Sequence, residues 1–197
     1  MLVEGRGRVA PKPERVKITR GELAYFQKTA RIRAGFRRYG ARGDEWGRGL
    51  AKPGDPVFPI LAGLLGEFAV CAFLNSRLGT KIQPDTSLLV KGDGGRDLIV
   101  CGICIQVKTR VTAKTNLVRR IDGSKRLRGL DSGIFVFCQW RSGNLHVDLL
   151  GWLDAQFIRH SAEMKRGRGD WWNLCLRDEN LEPMARLIAR LSSGEDE

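Results

Sequence analysis

The segment from Gly92 to Lys108, GDGGRDLIVCGICIQVK, limits the folds open to this chain more than any other. Taking Cys101-Gly102 as a two-residue turn, with glycine supplying a positive φ, makes the flanking runs a β-hairpin. Val100 then opposes Ile103, Ile99 opposes Cys104, Leu98 opposes Ile105 and Asp97 opposes Gln106. One face collects Leu98, Val100, Ile103, Ile105 and Val107, all apolar, and needs a core to cover it. The other collects Asp97, Ile99, Cys104, Gln106 and Lys108. A slip of one residue would mix the two faces, so the pattern sets its own register.

That register brings a carboxylate, an amide oxygen and an ammonium together on one side of a ribbon. A plain Asp–Lys salt bridge on a solvated sheet face would account for them equally well. The stretch before the hairpin argues for more. From 60 to 78 runs ILAGLLGEFAVCAFLNSRL, of helical length and ended by Gly79, and from Ile60 to Leu74 its one charged residue is Glu67. A lone carboxylate in an apolar helix needs a cation or hydrogen-bond donors, since burying it unpaired costs several kcal/mol. A structural arginine partner is the bland account of Glu67. Gly63 and Gly66 would let this helix approach a sheet closely.

The rest of the chain reads coarsely. Residues 1–18 are basic, contain proline and suit a flexible arm. Thr19 and Glu22 have capping-box spacing and open a helix to about residue 39, which with a Gly- and Pro-rich loop makes a basic extension over 19–59. Strands are predicted over 87–90, 97–100, 103–108, 134–140 and 145–151, and helices over 154–163 and 181–191, the last capped by Asn180. The order implies one α/β (α+β) domain over 60–197, with a central sheet of about five strands flanked by helices.

Charge names the class of partner. The 197 residues hold 34 Lys+Arg against 22 Asp+Glu, a formal net charge of +12. Residues 1–60 carry 14 of the cations against 6 acids, including Arg31, Arg33, Arg37 and Arg38 on the first helix. A second concentration is Lys108, Arg110, Lys114, Arg119, Arg120, Lys125, Arg126 and Arg128, against Asp122 alone. A third is Lys165, Arg166 and Arg168, followed by Trp171-Trp172. Such a balance suits a polyanion bound by phosphate neutralisation, DNA first and RNA as the alternative. Part of it is ordinary solvated surface, the N-terminal arm above all. No apolar run is read as reaching the roughly 18 residues that a membrane-spanning helix needs, which would rule out an integral membrane protein, and no secretory signal is read at the start. Five cysteines in a chain of this length read as reduced thiols in a cytoplasm-like compartment, host cytoplasm for a phage product.

Several weaker signals are set aside. Cys101-x-x-Cys104 has zinc spacing but no second pair, and His146 and His160 have no nucleophile beside them. Asp93 and the glycines around it suit a turn. Trp171-Trp172 suits packing of a terminal helix or a dimer interface better than base stacking.

Together, Glu67 in Gly66-Glu67-Phe68-Ala69, Asp97 opening the hairpin, and Gln106-Val107-Lys108 on its returning strand resemble the PD-(D/E)xK nuclease superfamily. The resemblance covers about residues 60–152. It departs at Arg96, where proline is usual, and at Gln106, where a Glu or Asp is usual. It implies a restriction-endonuclease-like core and Mg²⁺-dependent cleavage of DNA, with Mn²⁺ able to substitute. Glu67, Asp97, Gln106 and the Val107 carbonyl would hold the metal, and Lys108 would orient water and offset charge in the transition state. Arg31, Arg37, Arg38, Arg110, Lys114, Arg119, Arg120, Lys125, Arg126, Arg128, Lys165 and Arg166 would hold the nucleic-acid backbone. Concerted double-strand cutting would call for a homodimer. Two other readings stand beside it: a non-catalytic nucleic-acid-binding module on a degenerate nuclease fold, and an RNA- or ribosome-associated basic protein.

Overall fold

The computed structural model describes residues 9–38, 55, 57–84, 86, 97–111, 116–121, 133–166 and 172–193. The strand expected over 87–90 lies outside these residues, as do Asp93, Lys114, Lys125, Arg126, Arg128, Arg168 and Trp171.

Strand β1 (Glu14–Lys17) leads into α1 (Arg20–Arg38), and α2 (Val57–Leu78) follows. Thr19 and Glu22 form the capping box, since the Glu22 N–H donates to Thr19 Oγ1 at 3.1 Å and the Thr19 N–H donates to Glu22 Oε2 at 2.7 Å. α2 begins where the Val57 N–H donates to Asp55 Oδ1 at 2.8 Å. It ends at Gly79, whose φ of 66° takes the left-handed conformation that closes a helix. By length and composition α2 could cross a membrane, contrary to the reading that no run was long enough. Two-thirds of its most apolar window is nevertheless buried inside the protein, and it is the central core helix.

The hairpin β2 (Leu98–Val100) and β3 (Ile103–Arg110) has the expected register: Leu98 with Ile105, Ile99 with Cys104, Val100 with Ile103. Cys101 and Gly102 have φ of 50° and 81°, the two positive values of a type I′ turn. After β4 (Asn116–Ile121) come β5 (Ile134–Gln139), β6 (His146–Asp154), α3 (Ala155–Ser161), β7 (Glu163–Arg166), β8 (Trp172–Leu176), one 3₁₀ turn (Asp178–Asn180) and α4 (Met184–Ser193). Strands β1-β6-β5-β3-β2 form a five-stranded mixed sheet in which only β3 and β5 run parallel, and β4-β8-β7 form an antiparallel sheet of three. The protein is therefore of mixed α+β class.

Three differences from the sequence reading have plain causes. Residues 14–17, expected in a flexible arm, form an edge strand because Val16 pairs with Val147 and Arg15 Nε donates to Asp148 Oδ1 at 2.8 Å. The last helix starts at Met184 rather than 181. Pro183 disfavours helical backbone at Glu182, which instead bridges to Trp152, and Asn180 accepts the Arg177 N–H within the 3₁₀ turn. The basic connection after Arg110 contains β4, and the second sheet was not foreseen at all.

Two cores result. The larger joins α1, α2 and α4 to the face of the five-stranded sheet that carries Leu98, Val100, Ile105, Val107, Ile134 and Val136. The smaller lies on the opposite face, where Phe135 and Phe137 meet Ile158, Leu174, Leu176 and Leu181.

Candidate functional site

The site grows from the contact between α2 and β3. A Cβ placed on Gly66 would fall 1.9 Å from Thr109 Oγ1 and 3.3 Å from Val107 Cγ1, so only glycine allows this approach. Gly63, the other candidate for close packing, has nothing within 4 Å of its Cβ position. Glu67 follows Gly66 and is half-buried beside this contact. Burial first, and then the charge of Glu67 one helical turn away, push the Cys71 thiol up to about 12.

On β3, alternation places Gln106 and Lys108 on the face opposite Val107. Asp97 stands just before β2, and its Oδ2 accepts the Val107 N–H at 2.6 Å. The carboxylate thus serves as a ladder acceptor one step beyond the last strand pair. N–H and C=O of one residue point to the same edge of a strand, so the Val107 carbonyl shares the edge at which Asp97 sits. Asp97, Gln106, Val107 and Lys108 are in this way gathered at the open end of the hairpin. Asp97 bonds to the main chain rather than making the simple Asp–Lys pair that the bland reading would need for its place in the structure.

Gln106 and Lys108 are half-buried, and among the described residues neither side chain has a hydrogen-bond or ion-pair partner. Their neighbours on β5 in the same rows are Phe135 and Phe137, which belong to the smaller core. An amide and an ammonium therefore border an apolar core with no counter-group among the described residues. Glu67 stands on α2, which covers the Val107 face of the sheet, whereas Gln106 and Lys108 are on the other face.

Arg110, two residues on, is differently placed from its sequence role. Its Nη1 and Nη2 donate to Asp178 Oδ1 and Oδ2 at 2.8 Å each, and its side chain is only 10% exposed. It pins the 3₁₀ turn to the sheet, with both terminal nitrogens bonded to Asp178. Arg31 is half-buried on α1, Arg37 and Arg38 lie in that helix's last turn, Arg119 and Arg120 on β4, and Lys165 and Arg166 on β7.

The cysteines are free: Cys71, Cys138 and Cys175 are buried, Cys101 is exposed in the turn, and Cys104 is half-buried. Burial also raises the Cys138 thiol. His146 Nε2 lies 4.0 Å from Asp148 at the β1–β6 edge, away from the hairpin's open end. Among the described residues no three His, Cys, Asp or Glu cluster as metal ligands. A groove of about 670 Å³ between α1 and α2 is lined by Tyr25, Phe26, Phe68, Cys71 and Ile82, and by none of Asp97, Gln106 and Lys108. The sequence missed the Arg110–Asp178 pair and the second sheet. The alternation in Trp172-Asn173-Leu174-Cys175-Leu176, with Leu174 and Leu176 in a core, was the available signal for the latter. Comparison with family models, curated proteins and solved structures finds no match for the chain.

Proposed function

We propose that the protein is a metal-dependent DNA endonuclease built on a restriction-endonuclease-like core. The observation that carries this reading is the Asp97 carboxylate bonded to the amide between Gln106 and Lys108, with both flanking side chains lacking partners among the described residues. A half-buried ammonium with no counter-ion among the described residues, beside an apolar core, suits an anionic ligand.

The residues proposed to hold a cation offer oxygens only: the Asp97 and Glu67 carboxylates, the Gln106 amide and the Val107 carbonyl. That set fits Mg²⁺, which takes one or two carboxylates and fills its remaining positions with water and phosphate oxygens. Mg²⁺ held there would polarise a phosphodiester and lower the pKa of a bound water. Lys108 would orient that water and offset the negative charge that grows on the phosphate oxygens. The Val107 N–H fixes the Asp97 carboxylate in place, so no ordering is needed when substrate arrives. Gln106 adds an oxygen donor without charge. The net charge of +12 holds the phosphate backbone near the site.

Gln106 favours the non-catalytic module as a second reading, since it brings no charge where the resemblance has a Glu or Asp. A nuclease panel separates the two. Supercoiled, linear, single-stranded and four-way-junction DNA and a structured RNA are incubated with Mg²⁺ or Mn²⁺, with and without chelator. The expected result is DNA cleavage that chelator stops and that Asp97→Asn reduces by about 10²-fold or more. Tight, salt-sensitive binding with no cleavage under any condition would establish the non-catalytic module instead.

A further inference from the structure

We infer that the groove between α1 and α2 takes an unpaired base of a DNA strand, stacked on Tyr25. This rests on the nucleic-acid reading above but not on the chemistry at Lys108. The groove's volume of about 670 Å³ falls in the range of roughly 300–1,000 Å³ that small-ligand sites occupy. α1 contributes Tyr25 and Phe26, α2 contributes Phe68 and Ala72, and the chain after α2 contributes Ile82 and Gln83. That last segment is tied to α2 by Asn75. Its Oδ1 accepts from the Ile82 N–H at 2.7 Å and the Thr80 hydroxyl at 2.9 Å, and its Nδ2 donates to the Ile82 carbonyl at 2.7 Å.

Tyr25 is 54% exposed although its neighbour Phe26 is buried. The two rings meet edge to face with centroids 5.3 Å apart, and Phe26 in turn meets Phe68 at 5.2 Å. An open ring braced in this way is a stacking platform, because a base can lie on it without further ordering of side chains. Gln83 is exposed too, and its amide has no hydrogen-bond partner among the described residues. It offers both a donor and an acceptor to the edge of a base.

Charge at the rim selects the occupant. Gly21, Tyr25 and Lys28 follow at helical spacings of four and three, so the exposed Lys28 continues the stripe that lines the groove. Lys81, also exposed, precedes Ile82, and among the described residues neither lysine has an ion-pair partner. Glu22 on the groove is already engaged, its Oε2 accepting from the Thr19 N–H and hydroxyl at 2.7 Å each. An aromatic-lined groove with two such cations suits a ligand that is flat and apolar in one part and anionic in another. A base with its flanking phosphates has both, together with an edge for Gln83. Within a duplex the base is paired and stacked on its neighbours, so the occupant comes from an unpaired stretch or stands outside the helix. Glu67 precedes Phe68 and lies one turn, about 6 Å along the axis, from Cys71 on the groove. A base held here would leave its strand beside one of the residues proposed to hold the metal.

The test measures binding of the full chain in chelator, across a salt series, to oligothymidylate, to a duplex of the same length and to oligouridylate. Tyr25→Ala is expected to weaken oligothymidylate binding at least about tenfold and to leave the duplex within about twofold. Tyr25→Phe keeps wild-type binding, and Phe157→Ala, at an exposed ring on α3, changes nothing. Lys28→Ala/Lys81→Ala lowers the log–log salt slope for oligothymidylate by about 1.4. A 2-aminopurine placed in that strand is quenched on the unaltered chain and stays bright on saturating Tyr25→Ala. Unchanged affinity and quenching in Tyr25→Ala would overturn the inference, as would an equal loss on the duplex or Tyr25-dependent binding that prefers oligouridylate. If Tyr25→Ala alters the circular dichroism, the lysine pair decides, and an unchanged slope overturns it. A chain that binds no nucleic acid at all defeats the nucleic-acid reading as well, whereas cleavage by Lys108→Ala bears on the nuclease reading alone.

Discussion

The two faces of strands β3 and β5 differ in what closes them. Under α2 the packing is so close that a single Cβ on Gly66 would collide with Thr109, and Leu98, Val100, Ile105, Val107, Ile134 and Val136 are all buried. On the opposite face the same two strands set Phe135 beside Gln106 and Phe137 beside Lys108. The phenylalanines are sealed by α3, β8 and Leu181, while the amide and the ammonium have no partner among the described residues. The first face is what stability alone produces. The second sets polar groups that have no partner among the described residues beside an apolar core, and we propose that such a border is where a ligand binds.

If both faces carry real cores, truncation on the second should hurt as much as on the first. Phe137→Ala is expected to cost about 3–5 kcal/mol in urea unfolding. A loss below 1 kcal/mol would show the smaller core to be loosely held. Gly66→Ala tests the tight face and should cost about 1–3 kcal/mol by overpacking. Thr109→Ala in the same chain should recover most of that loss, because it removes the atom that the new Cβ meets. An unrecovered double variant would place the strain elsewhere.

The buried thiol on α2 gives the comparison a pH axis. Cys71 keeps its proton up to about 12 when folded and loses it near the ordinary value of 9.0 when unfolded. The unfolded state therefore sheds protons first, and the stability this group contributes is whole below pH 9 and declines as pH rises toward 12. Unfolding midpoints at pH 8 and pH 10.5 should show that decline, and Cys71→Ala should lessen it. The smallest effect is on the open face: Lys108→Leu should leave stability unchanged or raise it by up to about 1 kcal/mol, since no ion pair among the described residues is lost. A marked destabilisation would mean that Lys108 is a structural residue.

What was legible in the sequence was short in range. The hairpin register followed from alternation between Leu98 and Val107, the capping box from Thr19 and Glu22, and the end of α2 from Gly79. What was not legible depended on partners far along the chain. Nothing in Glu14-Arg15-Val16-Lys17 announces Val147 and Asp148, and the charge on β4 and β7 hid two strands whose apolar neighbours come from β8. Arg110 looked like a phosphate ligand because Asp178 lies 68 residues away. The gathering of Asp97 with Gln106 and Lys108 was readable because all three belong to one hairpin. Its carboxylate-to-amide bond was not, since cross-strand side-chain pairing is the ordinary expectation.

We propose that the open face of the hairpin cleaves DNA, and a paired measurement on Lys108→Ala can break that proposal. Mg²⁺-dependent nicking of supercoiled plasmid and the Kd for duplex DNA are determined on the same preparation, beside the unaltered chain. The expected result is a fall in nicking rate of about 10²-fold or more with a Kd changed by less than about threefold. Nicking by Lys108→Ala at the unaltered rate would contradict it.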